Sequence, residues 1–273
     1  MKNKILTSFF VFIAAVIGGC ADKTRYVPPA PTATAITITS RVASVTAYTP
    51  AGAYTGIENY YYNGTGILIS HTVKNSAGAE TERFTYEYDG FGKIAKLSYY
   101  VNAGLESYSL LTYGASDKVS SFTDYDAFGS PINEFTLSYD ASGYLARVDA
   151  NSRNSIPSVY VSYFLFTNNQ WGLFTQEERR WPSGGMITSV TQDFDTNHVL
   201  RSRHLYSSAG VLSGMVNFDV NSSGLKTDVW VFNAASVLSA HGVYLYEPGI
   251  PNIDENLADF AVNKNSPQII RIE

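Results

Sequence analysis

A single cysteine among 273 residues rules out a disulfide scaffold. Charge is scarce as well: only 16% of residues are charged, with 19 basic against 24 acidic. That balance leaves no basic excess for nucleic acid. Methionine occurs three times, against 20 tyrosines and 15 phenylalanines, so the composition favours extended over helical structure. With 45% hydrophobic residues the chain is neither disordered nor collagenous, and it has no series of long apolar runs as in a polytopic helical membrane protein. An all-β body is expected.

The longest apolar stretch lies at the start. Lys2 and Lys4 precede a run from Ile5 to Ile17 broken only by Thr7 and Ser8, followed by Gly18-Gly19-Cys20. The run is too short for a permanent membrane-spanning helix, and its charged start and small-residue end read as a secretory leader. Ile17-Gly18-Gly19-Cys20 resembles the bacterial lipobox, in which the cysteine is lipidated and becomes the first residue of the mature chain. The resemblance implies acylation of Cys20, and Ala21 in place of Asp after it implies sorting to the outer rather than the inner membrane. Acylation also removes the only thiol, which would be exposed in an oxidising compartment. Removing residues 1–19 takes away two lysines and no acidic residue, giving a net charge of −7. Attachment to the membrane is therefore expected through the lipid and not through a polybasic patch. Residues 20–36, rich in Pro, Ala and Thr, read as a tether.

From residue 37 to 248 one pattern recurs: a short alternating run ending in Tyr or Phe, then Asp, Asn or Gly, then small residues, then another run. Asp and Asn cap their own turn, Gly supplies positive φ, and the flanking aromatics pack across the pleat. Strands of about seven or eight residues joined this tightly form an antiparallel meander. Phe84, Tyr86 and Tyr88 share one face, opposite Arg83, Thr85 and Glu87; Phe135, Leu137 and Tyr139 oppose Glu134, Thr136 and Ser138. By the same alternation Leu225, Thr227, Val229 and Val231 oppose Lys226 and Asp228. About 14 to 16 such strands exceed the roughly ten that an open twisted sheet sustains, so a strongly curved or barrel-like meander is expected. After Pro248 the pattern breaks; residues 249–273 read as a cap, with a short helix from Asp254 to about Val262 and a last strand from Gln268 to Ile272 hiding a sheet edge.

Phe84-Thr85-Tyr86-Glu87-Tyr88-Asp89-Gly90-Phe91-Gly92-Lys93-Ile94 and Leu137-Ser138-Tyr139-Asp140-Ala141-Ser142-Gly143-Tyr144-Leu145 resemble the YD repeat of RHS-type proteins. Phe194-Asp195 and Phe218-Asp219 are similar to degenerate copies. Long arrays of that family enclose toxin domains, for which residues 37–248 are too few. The likeness is greater to bacterial lipoproteins that carry a YD-like β-meander.

Chemistry-bearing motifs are sparse. His71, His198, His204 and His241 lack zinc-type spacing. Asp193, Asp195 and Asn197 alternate oxygen ligands like the start of a calcium loop, and the run from Asp219 to Gly224 does the same. Their twelfth positions are His204 and Trp230 rather than the required Glu, so the turn reading is preferred. Ser223-Gly224-Leu225-Lys226 matches Ser-x-x-Lys without its companion motifs. Glu177 and Glu178 are adjacent on a strand, point to opposite faces and cannot flank one glycosidic bond; they read as a solvated charged edge. Tyr60, Tyr99, Tyr108, Tyr160 and Trp181 are candidates for an exposed face that stacks on sugars or peptides, against the plainer reading of cross-strand pairs. The expectation is a membrane-anchored envelope lipoprotein whose repeat domain binds or scaffolds without catalysis, with no cofactor, no nucleic acid, and a glycan or envelope protein as ligand. Two alternatives stay open: a hydrolase whose site forms only on folding, with His204 as its test residue, and an outer-membrane β-barrel. Charges on both faces of 176–180 weigh against the barrel.

Overall fold

The computed structural model describes residues 40–153 and 159–248, and these form sixteen antiparallel strands in sequence order. They are β1 (Ser40–Tyr48), β2 (Tyr54–Tyr62), β3 (Leu68–Asn75), β4 (Glu80–Tyr88), β5 (Ile94–Val101), β6 (Gly104–Tyr113), β7 (Val119–Asp126) and β8 (Pro131–Tyr139). The second half comprises β9 (Leu145–Ser152), β10 (Val159–Asn168), β11 (Phe174–Arg180), β12 (Met186–Phe194), β13 (Leu200–Ser207), β14 (Leu212–Val220), β15 (Lys226–Asn233) and β16 (Leu238–Pro248). Each strand pairs with its neighbour, and β16 returns to β1 with Tyr244 opposite Val45, so the meander closes into a barrel. The strands run to seven to eleven residues, some longer than expected from sequence, and every connection is two to six residues long. The leader, Cys20, the tether and the expected cap helix and last strand lie outside the described residues. The edge that the cap was expected to hide is instead paired, because closure abolishes edges.

The repeat unit is a hairpin. Leu68, Ile94, Val119, Leu145, Phe174, Leu200 and Lys226 open alternate strands at intervals of 25 to 29 residues. Five residues before each stands the turn residue: Asn63, Asp89, Gly114, Asp140, Asn169, Asp195 and Asn221. In the six Asx cases the side-chain Oδ1 accepts the backbone N–H groups two and four residues on, as Asp89 does from Phe91 at 2.8 Å and Lys93 at 2.9 Å. The fourth turn position is left-handed, with Gly92 at φ 79° and Gly143 at φ 82°; His198 occupies it at φ 65°. Directly after each turn the register slips by one residue, as between Glu87 and Tyr88 against β5. This bulge overrides strict alternation. Lys226 therefore faces inward with Val229 instead of opposing it, a correction to the sequence-based assignment.

The tyrosine preceding the turn is a structural rung. The hydroxyls of Tyr62, Tyr88, Tyr113 and Tyr139 donate to the carbonyls of Val42, Leu68, Ile94 and Val119 at 2.7–2.9 Å, each one hairpin back. Asn168 makes the equivalent bond to Leu145 at 2.8 Å.

Candidate functional site

Strand parity sorts the wall into two faces of opposite character. Inward go Val45, Phe84, Leu97, Phe122, Phe135, Phe164 and Val229, each at most 1% exposed. Outward go Lys96 paired with Glu87, Arg147 with Asp149, and Arg180 with Glu178, all in strands. An outer face carrying such charges is matched to water: Arg or Lys facing lipid near the bilayer midplane costs about 2–4 kcal/mol each.

The inner wall carries two polar arcs. The first spans β2–β4. Tyr60 donates its hydroxyl to Glu58 at 2.8 Å, His71 Nε2 lies 3.4 Å from the other Glu58 oxygen, and His71 Nδ1 meets the Tyr86 hydroxyl at 2.9 Å. Parity brings them together: Tyr60 faces His71 across β2 and β3, and His71 faces Phe84 across β3 and β4. Burial first, and then the neighbouring Glu58 carboxylate, push the Tyr60 hydroxyl well above its usual range, so it remains a donor. Farther round, Ser109 donates to Asp124, whose carboxyl is raised to about 7 by burial despite that bond.

The second arc spans β11–β15 and holds Glu177, Arg179, Gln192, Arg203 and Lys226. Glu177 is 3% exposed, Gln192 4%, Arg203 1% and Lys226 3%. The Arg203 guanidinium lies 5.6 Å and the Lys226 ammonium 4.9 Å from the Phe218 ring centre, and Arg179 lies 5.5 Å from that of Phe164. Burial raises Glu177 well above the usual carboxylate range, opposed by the charges of Arg179 and Arg203; burial lowers Arg179, opposed by Glu177. Both amide atoms of Gln192 and Oε2 of Glu177 find no hydrogen-bond partner among the described residues.

The sequence candidates fall in different places. Tyr60 and Tyr99, expected on an exposed face, are 6% and 8% exposed on the inner wall. The bulge after each turn sets their parity, and they belong to one aromatic belt: Tyr60 on His71 at 5.3 Å, His71 on Phe84 at 4.4 Å, Phe84 on Tyr99 at 4.7 Å. Tyr108 faces outward, stacked on Tyr125 at 5.0 Å. Tyr160, also outward, donates to Asp149 at 2.6 Å and accepts from Arg147, and Trp181 stands 52% exposed in the β11–β12 turn. These three do not converge. The calcium candidates are turn architecture: Asp195 Oδ1 accepts two backbone N–H groups and its Oδ2 holds Arg201, while Asp193 bonds Ser202 at 2.6 Å. Among the described residues no group of three or more His, Cys, Asp or Glu could hold a metal. Among the described residues the carboxylate that His204 meets is that of the exposed Asp193, at 3.4 Å. The histidine that meets a buried carboxylate is His71, and Glu177 is buried, not part of a solvated edge. Sequence reasoning missed both arcs, whose one signal was Glu58 two residues from Tyr60 on an otherwise apolar face.

No protein-family model matches the chain, and no curated protein matches it in sequence. Among solved structures it is similar to a porin-like protein from Bacteroides uniformis, with a TM-score of 0.50 and 13% identity over 76% of this chain and 96% of that one. A second porin-like protein, from Bacteroides vulgatus, matches with a TM-score of 0.40 and 10% identity over 77% and 99% of the two chains. At such identities the first likeness bears on the fold alone: a closed, all-β antiparallel barrel.

Proposed function

We propose that this protein is an envelope lipoprotein, acylated at Cys20 and held at the outer membrane by a tether of residues 20–36, whose barrel stands in water as a non-catalytic binding or structural module. The observation that carries the reading is the polarity of the wall, with ion pairs on the outer face of the strands and an inner face that is largely apolar apart from the two polar arcs, whereas a bilayer-spanning barrel turns an apolar band outward. The lipobox-like leader supports the anchor, and the YD-like hairpins support kinship with repeat-bearing lipoproteins. A glycan or an envelope protein is the class of external ligand, and the acidic chain disfavours nucleic acid. Intact-mass analysis of density-separated membranes tests the anchor. The expected result is a chain starting at an acylated Cys20 in the outer-membrane fraction; an unmodified Cys20 or a retained leader contradicts it.

A hydrolytic reading has one observation in its favour: Glu58, His71 and Tyr86 stand in the order of carboxylate, base and hydroxyl. Turnover in a broad hydrolase screen that His71→Ala abolishes would establish it; no turnover leaves the binding module.

A further inference from the structure

The two rims of the barrel differ in what their turns display. The chain enters and leaves at one of them, where Ser40 of β1 stands opposite Pro248 of β16. That near rim carries the turns from Asn63 to Asn221, and charge is frequent in them: Asp89, Lys93, Asp117, Lys118, Asp140 and Asp195. The far rim carries the connections from β1–β2 and β3–β4 round to β15–β16. Seven of its eight connections are described throughout, over residues 49–53, 76–79, 102–103, 127–130, 181–185, 208–211 and 234–237, and none of their residues is charged. Arg153, which starts the eighth, pairs with Glu134.

Single exposed apolar residues are common and mean little by themselves. The far-rim turns, however, join the absence of charge to large apolar side chains: Phe128 is 94% exposed, Val211 63%, Val237 58% and Trp181 52%. At the near rim Phe91 is the exposed counterpart of Phe128, and its turn carries both Asp89 and Lys93. The far tips are also held in place. Asp126 Oδ1 accepts the backbone N–H groups of Phe128 at 2.9 Å and Ser130 at 2.8 Å, and the Arg180 guanidinium donates to the Gly184 carbonyl at 2.7 Å across the turn that begins with Trp181. The first charges below the tips, Lys74, Glu80, Asp126 and Arg180, lie at or beside strand ends. A charge-free edge with aromatic tips above a ring of charges suits the headgroup region of a membrane, where Trp and Phe bury apolar surface.

We propose that the far rim docks on a lipid bilayer, with the Phe128 and Trp181 side chains inserted at the headgroup level and the walls of the barrel left in water. A fluid surface suits these tips better than a protein partner, because they stand on separate turns among small Ala, Ser and Gly residues and form no continuous patch. Charge points the same way. Loss of Lys2 and Lys4 with residues 1–19 takes the net charge from −5 to −7, and the far rim is the end that approaches a membrane without bringing charged turns to it. The chain that precedes β1 is long enough for this orientation. Residues 20–39, twenty in all, reach up to about 60 Å at about 3.1 Å per residue, whereas the longest strand, of eleven residues, measures about 36 Å. A lipid on Cys20 therefore reaches the plane of the far rim although the chain enters at the near one. The inference rests on the reading of the barrel as a water-surrounded envelope module and names the end that it turns to the membrane.

The test uses residues 20–273 with C20S, so that the chain carries no lipid of its own. Its three tryptophans report three places: Trp181 at the far rim, Trp171 in a near-rim turn, and Trp230 on the outer wall, where it donates to the exposed Asp219 at 2.8 Å. Three chains keep one tryptophan each, with the other two replaced by Phe, and are titrated with phosphatidylcholine vesicles whose acyl chains are brominated close to the headgroup. The expected result is quenching of Trp181 and none of Trp171 or Trp230. In vesicle flotation of the C20S chain, F128S is expected to weaken binding about fivefold or more, and F91S to leave it unchanged. Far-UV circular dichroism verifies that each variant retains its β signal, and the contrast of F128S with F91S stands even if a tryptophan replacement does not fold. No binding by the folded C20S chain overturns the proposal, as does an equal loss in F91S or quenching of Trp171 in place of Trp181. So does a dimer in lipid-free sedimentation that F128S dissolves while vesicles stay unbound, since the rim then meets a second copy. Quenching of Trp230 together with Trp181 places the wall in lipid, and the water-surrounded reading falls as well. Absence of all quenching, with an acylated Cys20 in the native chain, removes the docking and leaves the anchored module standing.

Discussion

The two halves of the barrel share one hairpin plan and have diverged in what they place on it. In β1–β9 the residue before the turns at Asn63, Asp89, Gly114 and Asp140 is a tyrosine whose hydroxyl ties the hairpin to the one before, and the buried carboxylates of the inner wall are Glu58 and Asp124. In β10–β16 the same position is Asn168, then Phe194, then Val220, and the inner wall buries the basic Arg203 and Lys226 beside Glu177. Strand pairing is equally complete in both, with Phe194 against Leu200 and Val220 against Lys226 across the same bulge. The rung is therefore an addition to a wall that the Asx turns and apolar parity already specify. Where no tyrosine rung stands, the wall holds Arg203, Lys226 and Gln192.

The comparison can be broken at several depths. The inner apolar wall is common to both halves, so Phe122→Ala and Phe164→Ala are each expected to cost about 3–5 kcal/mol in chemical denaturation; a much smaller loss in one would mean that half is not packed as the other is. Next comes Asp124. Its carboxyl is raised to about 7 in the folded protein against an ordinary 3.8, so the native state keeps the proton to higher pH than the unfolded chain. Stability is then highest below about pH 4, falls between about pH 4 and 7, and levels off above, by up to about 4 kcal/mol from this group. D124N should flatten that part of the profile and stabilise the protein at pH 8. Glu177 is shifted in the same direction in the other half, so E177Q should remove a further part of the same slope. A D124N profile that superimposes on wild type contradicts the burial argument.

Smaller effects separate the halves. Tyr88→Phe and Tyr139→Phe remove a hydroxyl from a backbone carbonyl and are each expected to cost about 1 kcal/mol. Phe194→Tyr restores the missing rung in the second half and should regain a similar amount; no gain would show that the rung geometry belongs to the first half alone. Smallest of all, Ser236 is left-handed at φ 57° in the β15–β16 turn, and Ser236→Gly should raise stability by about 0.5–1 kcal/mol by thermal melting.

What the sequence makes legible is local. Turn blocks such as Tyr88-Asp89-Gly90-Phe91-Gly92 announce themselves because the Asx cap and the left-handed glycine are fixed by short-range chemistry. From them follow the strand count and the meander, and the opposed directions of Glu177 and Glu178. Closure of β16 on β1 is not legible, because it joins Tyr244 to Val45 across the whole chain and no nearby residue encodes it. The one-residue bulge after each turn is equally silent, and it decides that Lys226 and Tyr99 face inward. The polar arcs were invisible for the same reason: Glu58 and His71, or Gln192 and Arg203, meet only once register is set.

The central claim is that the wall is turned towards water outside and is oily within. Its most direct measurement is thiol labelling in a Cys20→Ser chain that carries single cysteines at Thr136 or Glu178, which face outward, and at Val148 or Val216, which face inward, probed with a membrane-impermeant maleimide in plain buffer and again with added lipid vesicles. The account predicts fast labelling at 136 and 178 under both conditions and strong protection at 148 and 216. Protection of 136 and 178 on addition of vesicles, with free labelling of 148 and 216, would show a barrel immersed in lipid around a water-filled pore and would contradict it.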